Sequence, residues 1–457
     1  MADTKKTELF ETMPIPQAVA KLCIPTVLAT LVMVLYNLAD TYFVGLINDP
    51  VESAAVTLAA PVLLAFNAVT NLFGTGTSSL MSRALGKRDY DTVRRTASFG
   101  FYCALFCSLL FSLLCTVFRP ALLNLLGADP ETAASTTAYL FWTVTCGAAP
   151  AILNMVLSFM VRAEGASLHA SIGSMSGCLL NVALDPVFIM PWGLGMGAAG
   201  AGCATFLSNC AACLYFFILL YVKRKETYVS LSPRLFCFRK DIVRGVLAVG
   251  IPASIQNLLN VTGMTVLNNF TAAFGTDAVA AMGITHKVNM VPMYISMGIG
   301  QGIMPLVGYN YASGNGKRMK NSILFTGKIC VGFILLATLG YYLGAGSVIR
   351  AFMKNEAIVA YGTRFLRGFC LGLPFLSVDF LAVGIFQAVG MGKESLIFAI
   401  LRKVVLEIPA LWILNRIWPL YGLAYSQLVA EVVLCTAAVL VLMRLFARVG
   451  QKGEKPA

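Results

Sequence analysis

Charge is what this sequence has least of. Asp, Glu, Lys and Arg make up 12% of its 457 residues, about half the ~25% of a soluble globular chain. It has two histidines, His169 and His286, thin material for a hydrolase built on a serine–histidine pair. It has no Walker A sequence. Gly316-Lys317 and Gly392-Lys393 lack both the upstream glycine and the following Ser or Thr, so ATP hydrolysis by this chain is excluded as a power source. No enzyme is expected. Thirteen cysteines, an odd number, lie mostly within apolar segments, and the single C-x-x-C (Cys210, Cys213) has no second pair. They read as packing residues rather than metal ligands. Residues 1–14 are polar and carry no cleavage pattern, so no leader is expected.

What is present is apolar: 58% of residues are hydrophobic. They fall into twelve stretches, near 17–47, 53–82, 97–118, 133–161, 168–192, 196–222, 243–273, 278–309, 322–347, 357–391, 395–418 and 420–446. Each reaches the ~20 residues of a spanning helix. The expected class is an all-α membrane protein of twelve transmembrane helices. The net charge of +13 is topological. Most basic residues fall in the tails and alternate loops: Lys5, Lys6 and Lys21, then Arg83 to Arg95, Arg162, Lys223 to Arg244, Lys317 to Lys328, Lys393, Arg402 and Lys403, then Arg444 to Lys455. The opposite side receives Arg119, Arg350, Lys354, Arg364, Arg367 and Arg416. The positive-inside rule puts both termini in the cytoplasm. The lipid bilayer is the implied partner, and nucleic acid is not.

The one sizeable polar interruption, at 223–241, divides the chain into an N-lobe (1–225), a linker loop (226–241) and a C-lobe (242–457). The lobes repeat each other. KLCIPTVLATL at 21–31 echoes LAVGIPASIQNL at 247–258, MVRAEGASL at 160–168 echoes IFQAVGMGKESL at 385–396, and NVALDPVFI at 181–189 echoes KVVLEIPAL at 403–411. Six spans per lobe give the two halves the same orientation. Parallel repeats of this kind characterise carriers that bind substrate between halves near mid-membrane.

Two acids stand out against this background. Asp40 closes the first stretch in YNLADTYFVG, where a charge at mid-bilayer would cost about 2.5–3.5 kcal/mol. Asn181 and Asp185 are four apart in the fifth stretch, on one helical face. Pro186 cannot donate a backbone hydrogen bond and frees the Val182 carbonyl. Thr205 adds a hydroxyl, and Tyr36 and Asn37 lie one turn before Asp40. Hard oxygen ligands of this kind suit Na⁺ or a shared proton. The repeat-equivalent positions are Leu267 for Asp40, Lys403 for Asn181, Glu407 for Asp185 and Gln427 for Thr205, which favours the N-lobe for ion coupling. Asp379 is repeat-equivalent to Asn154. A C-lobe polar group of Asn260, Asp379, Glu407 and Lys287 is the secondary candidate, with Lys287 and His286 at the head of the eighth stretch offsetting an acid. Met290, Met293, Met297 and Met304 form a stripe that suits either a permissive cavity or helix packing. GMGAAG at 195–200 opens a membrane helix without a preceding strand, so it reads as close helix packing, not a dinucleotide site.

YNLADTYFVG, NVALDPVFI, GQGIMPLVGYNYASGN and the two six-helix halves together resemble the multidrug and toxic compound extrusion (MATE) family across almost the whole chain. The resemblance implies two pseudo-symmetric six-helix bundles in a V, working by alternating access. It implies Na⁺- or H⁺-driven export of amphipathic, cationic drugs or metabolites, with no cofactor beyond the coupling ion. The family's N-lobe cation site maps to Asp40, Asn181, Asp185 and Thr205, with Tyr139 beside it. Candidate cavity residues are Tyr36, Asn37, Tyr139, Asn154, Met290, Met293 and Met297. Branches with an acid in the seventh helix have no counterpart, because Asn260 stands there. The expected protein is a monomeric antiporter of the inner membrane. The alternatives are a lipid-linked precursor flippase, which would need several cavity arginines or lysines, and a passive channel.

Overall fold

The computed structural model describes residues 7–47, 49–352 and 355–453. Lys5, Lys6, Lys354 and Lys455 of the topological count lie outside the described residues, as does the side chain of Lys452. The described residues are helical with no strand. The twelve long elements are α1 (Ile15–Leu46), α2 (Pro50–Gly86), α3 (Tyr90–Val117), α4 (Ala133–Leu140, Phe141–Cys146 and Ala148–Ala163), α5 (Ser167–Ile189) and α6 (Gly197–Val222). They continue as α7 (Lys240–Ala272), α8 (Thr276–Ala312), α9 (Gly316–Phe352), α10 (Glu356–Val389), α11 (Gly392–Ile400, Leu401–Glu407 and Ile408–Ile417) and α12 (Ser426–Gly453).

Among the described residues, ten single helices are long and apolar enough to cross a membrane, and α4, bent by 47°, makes an eleventh. The twelfth is α11, whose continuity is broken by the π-helical turn Leu401–Glu407. α4 carries its own π turn at Phe141–Cys146. The helices α2, α8 and α9 have 37 residues each, about 55 Å at 1.5 Å per residue. That exceeds a ~30 Å hydrocarbon layer, so they tilt or protrude.

Helix starts are set by side chains. The Asp49 carboxylate accepts from Val51 N at 2.8 Å to begin α2. Asp89 accepts from Thr92 N and Oγ1 to begin α3. Asn355 accepts from Ala357 N to begin α10. Each satisfies amide donors that a first turn leaves unpaired.

The chain forms two compact units. The first contains Leu31–Ser254, and the second contains Leu9–Thr30 and the chain from Ile255 onward. The units therefore do not follow the division at 225 and 242. The leading half of α1 packs within the second unit, where Thr30 Oγ1 donates to Tyr294 O at 3.1 Å. The leading half of α7 packs within the first, where the Ser254 hydroxyl donates to Ala68 O. Arg318 fixes the segment before α1 in the second unit, donating to Phe10 O (2.6 Å) and Met13 O (2.6 Å).

Lipid chains are as apolar as leucine, so helix association in a bilayer depends on close packing rather than on burying apolar area. In the second unit this brings α8 against α10 through Gly300 and Gly384. A Cβ on Gly384 would lie 3.0 Å from Gly300 O. Large apolar side chains point outward on other faces: Phe106 is 67% exposed and Leu336 71%, as expected for surfaces that meet lipid.

Candidate functional site

In the first unit, Asp185 is fully buried and Asn181 nearly so, one above the other on α5. In the orientation that satisfies its neighbours, the Asn181 amide donates to Asp185 Oδ2 at 2.9 Å. Its oxygen accepts from Thr205 Oγ1 and Thr205 N, both at 3.1 Å. Thr205 O accepts from Asn209 Nδ2 at 2.9 Å, and Asn209 Oδ1 accepts from Asn154 Nδ2 at 2.7 Å. A polar ladder thus runs from Asp185 across α5 and α6 to Asn154 on α4.

Asp40 on α1 and Tyr139 on α4 join this cluster. Asp40 is within electrostatic range of Asp185, and Tyr139 of both acids. Tyr36, one turn before Asp40, lies near Asp40, Tyr139 and Thr205. Tyr139 is buried and sits two residues before the π turn of α4. Such a turn shifts the register of everything after it and is frequent at functional sites. Pro186 lies inside α5, so the Val182 carbonyl loses its usual donor. Neither Asp40 nor Asp185 has a basic partner among the described residues. The structure brings Asp40, Asn181, Asp185, Thr205, Tyr36 and Tyr139 together. Asn37 is exposed, and its carbonyl accepts from Thr41 Oγ1; its side chain does not join the cluster.

The donor set suits a monovalent cation or a proton. It offers two carboxylates, an amide oxygen and hydroxyls, the hard donors such ions prefer.

The second unit is arranged differently. Arg402 is 4% exposed and lies between two acids, 2.9 Å from Asp379 Oδ2 and 2.7 Å from Glu431 Oε1, with its guanidinium 4.6 Å over the Phe380 ring. Asp379 Oδ1 and Glu431 Oε2 have no hydrogen-bond partner. Lys403 pairs with Glu407 at 2.6 Å, and its stem passes Gly263, where an added Cβ would sit 2.8 Å from Lys403 Cδ. Arg402 and Lys403 therefore do not belong to the cytoplasmic charge of the loops. They lie in the π turn of α11, each paired with an acid.

Lys287 also differs from expectation. α8 begins at Thr276, so Lys287 is three turns inside the helix. It is exposed, and the acids it was expected to offset are taken by Lys403 and Arg402. His286 packs its ring against Phe369, and its Nε2 has no partner. Asn260 is half-buried and makes no side-chain hydrogen bond among the described residues. Of the group Asn260, Asp379, Glu407 and Lys287, the two acids both lie within electrostatic range of Arg402, whereas Lys287 is exposed and Asn260 is not joined to them by a hydrogen bond among the described residues. Met290, Met293 and Met297 are half-buried on α8, whereas Met304 is packed in the core.

Two features escaped sequence reasoning. Glu431 is repeat-equivalent to Asn209, and aligning the sixth and twelfth stretches would have found it. Glu52 accepts from Ser135 Oγ and Ala198 N, each at 2.6 Å. It ties the starts of α4 and α6 to α2 and occupies the first turn of the GMGAAG stretch. No local motif signals that bond.

Residues 25–187 and 252–413 match the family described as MatE. The multidrug export protein MepA of Staphylococcus aureus (strain MRSA252) is 34% identical over 442 residues, covering 95% of each chain. A protein of the same name from Staphylococcus saprophyticus is 32% identical over 438 residues, also 95% of each. Among solved structures, an outward-facing multidrug resistance MATE family transporter superposes with a TM-score of 0.89 at 27% identity, covering 98% of this chain and 99% of that one. A MATE crystal structure in the straight conformation gives 0.92 at 26% identity with the same coverage.

Proposed function

The chain belongs to the MatE family of multidrug and toxic compound extrusion transporters, and from that premise we propose that it is a Na⁺- or H⁺-driven antiporter. Its cargo is amphipathic, cationic drugs or metabolites, exported by alternating access. The observation that carries the coupling is the pair Asp40 and Asp185, which share one buried cluster and have no basic partner in it. Two such acids repel each other and are poorly solvated, so a cation or proton that neutralises them stabilises the occupied site.

Asn181 links this charge to α6 by bonding Asp185 and Thr205 at once. A change of ion occupancy therefore alters how α1, α5 and α6 pack. Substrate affinity changes with it, and coupling requires nothing more than that reciprocal effect. The basic side chains inside α11 are bound to acids and are not free to hold a pyrophosphate, which supports export over lipid-precursor flipping. The protein works as a monomer in the inner membrane, with both termini cytoplasmic. Withdrawing Arg402 and Lys403 from the loop charge leaves that bias intact.

Purified protein in proteoliposomes tests the reading, with a fluorescent cationic dye and either a Na⁺ or a pH gradient imposed alone. Wild type is expected to drive efflux under one gradient, and Asp40→Asn to fold and insert but lose gradient-driven efflux. Undiminished efflux by Asp40→Asn removes Asp40 from the mechanism, and dye movement that never exceeds equilibration makes the protein a passive channel.

A further inference from the structure

We propose that the segment joining α6 to α7 builds a binding site for a phosphate ester, filled in the membrane by the head group of an anionic phospholipid. A cavity of about 480 Å³ lies there within the first unit. It is lined by Arg94 of α3, Phe217 and Tyr221 at the end of α6, and Arg224, Ser230 and Ser232 of the joining segment.

Its walls are held in place. The buried Glu164 carboxylate accepts from Tyr228 N at 2.8 Å and from the Thr227 hydroxyl. Tyr102 OH donates to Leu231 O at 2.8 Å, and Ser98 Oγ donates to Ser232 O at 2.9 Å.

The two arginines are unspent. Arg94 lies 5.7 Å from the Tyr228 ring centroid and Arg224 5.4 Å from that of Tyr221, and neither is paired with a carboxylate among the described residues. A ring face orients a guanidinium without neutralising it. Arg95 and Arg239 nearby show the contrast, since they are paired with Asp91 and Asp241. Glu164 is committed to the loop, and Glu226 is exposed in the turn, so the cavity keeps a cationic excess. Two guanidinium forks with hydroxyls beside them match phosphate oxygens in charge and geometry.

The surroundings select a lipid over a soluble phosphate. Tyr221 and Val222 are 71% and 72% exposed at the end of a membrane helix, the position of an interfacial aromatic belt. A second cavity of about 570 Å³, with an apolar lining that includes Phe106, Phe236 and Phe238, lies against the same joining segment. It offers room for acyl chain, for which a free phosphate has no use.

Native mass spectrometry of the full-length protein in detergent, titrated with phosphatidylglycerol, phosphatidylcholine or glycerol 3-phosphate, tests the assignment. Phosphatidylglycerol is expected to bind tightest. Arg94→Ala/Arg224→Ala should weaken it about 30-fold, from roughly 1 kcal/mol per interfacial arginine. Lys317→Ala/Lys320→Ala, which removes equal charge from the second unit, should weaken it less than about threefold. Should the alanine pair not fold, Arg94→Lys/Arg224→Lys keeps the charge but loses the forks and is expected to weaken binding about threefold or more. Equal affinity for the two lipids, an unaffected arginine variant or an equal loss in the lysine control overturns the site. Glycerol 3-phosphate binding as tightly as the lipid overturns the assignment to a membrane lipid.

Discussion

Asn154 and Asn209 in the first unit hold each other by one amide hydrogen bond of 2.7 Å. At the repeat-equivalent positions of the second unit stand Asp379 and Glu431, with Arg402 between them. One layer away the polarity is exchanged. The first unit has Asp40 and Asp185 without a basic partner, while the second has Leu267 in its core and Glu407 paired with Lys403. Tyr36, which lies near Thr205 in the first unit, corresponds to Gly263, which makes room for Lys403. The same scaffold thus holds its acids in two ways. In the second unit a tethered cation is covalently part of the site. In the first unit Asp40 and Asp185 have no basic partner among the described residues, and the proposed coupling supplies the cation from solution. That difference is the physical content of assigning ion coupling to one unit.

The comparison breaks most sharply at Arg402. Arg402→Ala leaves two buried acids facing each other without their cation, and a loss of about 3–5 kcal/mol is expected. Thermal melting in detergent should show it, and Asp379→Asn/Glu431→Gln on the same background should recover most of it. An unshifted melt for Arg402→Ala would mean that the tethered cation is not structural.

Transport sharpens the contrast next. Asp185→Asn is expected to lower initial dye efflux about 100-fold, equivalent to roughly 2.7 kcal/mol, with little change in melting. Glu407→Gln, its repeat equivalent, should keep efflux within about threefold. Equal losses in both variants would end the asymmetry. Asn181→Ala is expected to cost about 1–3 kcal/mol by leaving Asp185 and Thr205 short of a partner. It should also weaken the dependence of efflux on ion concentration, read as the ion concentration at half-maximal rate.

The smallest expected effect lies outside the membrane, at the start of the third helix of each unit. There the cap of α3 is Asp89 and that of α9 is Asn315, whose Oδ1 accepts from Arg318 N at 3.1 Å. The Thr92 hydroxyl, and then the Thr92 N–H, hold the Asp89 carboxyl below the usual carboxylate range. A depressed folded value means that the cap contributes fully above the unfolded pKa of about 3.9 and is lost as pH falls through the lower folded value. Asp89→Asn should keep the cap, worth about 1 kcal/mol, and remove that acid sensitivity. Melting curves between pH 5 and pH 3 should separate the two proteins, with wild type losing more.

Much of the candidate site is legible in the sequence. Asn181 and Asp185 share a face because a helix brings residues four apart together, and that needs no partner helix. Asp40 stood out because an acid at the end of an apolar run is costly. Charge partners were harder to read. Lys287 was expected to serve the acids of the second half, but those acids are satisfied by Arg402 and Lys403, which themselves looked like loop charge. The π turn at Leu401–Glu407 explains the error. It lies inside a span whose predicted start, near 395, put both residues at a membrane surface.

Sequence alone determined the spans, their number, the repeat of six and which residues are too polar for lipid. Those properties follow from side-chain transfer energies and helical periodicity, which act residue by residue. Tertiary structure alone decided which acids have a basic neighbour, that α1 and α7 each divide between the two compact units, and that the polar linker is pinned by Glu164, Ser98 and Tyr102. Each of these depends on distances between segments far apart in the chain, which no local preference specifies.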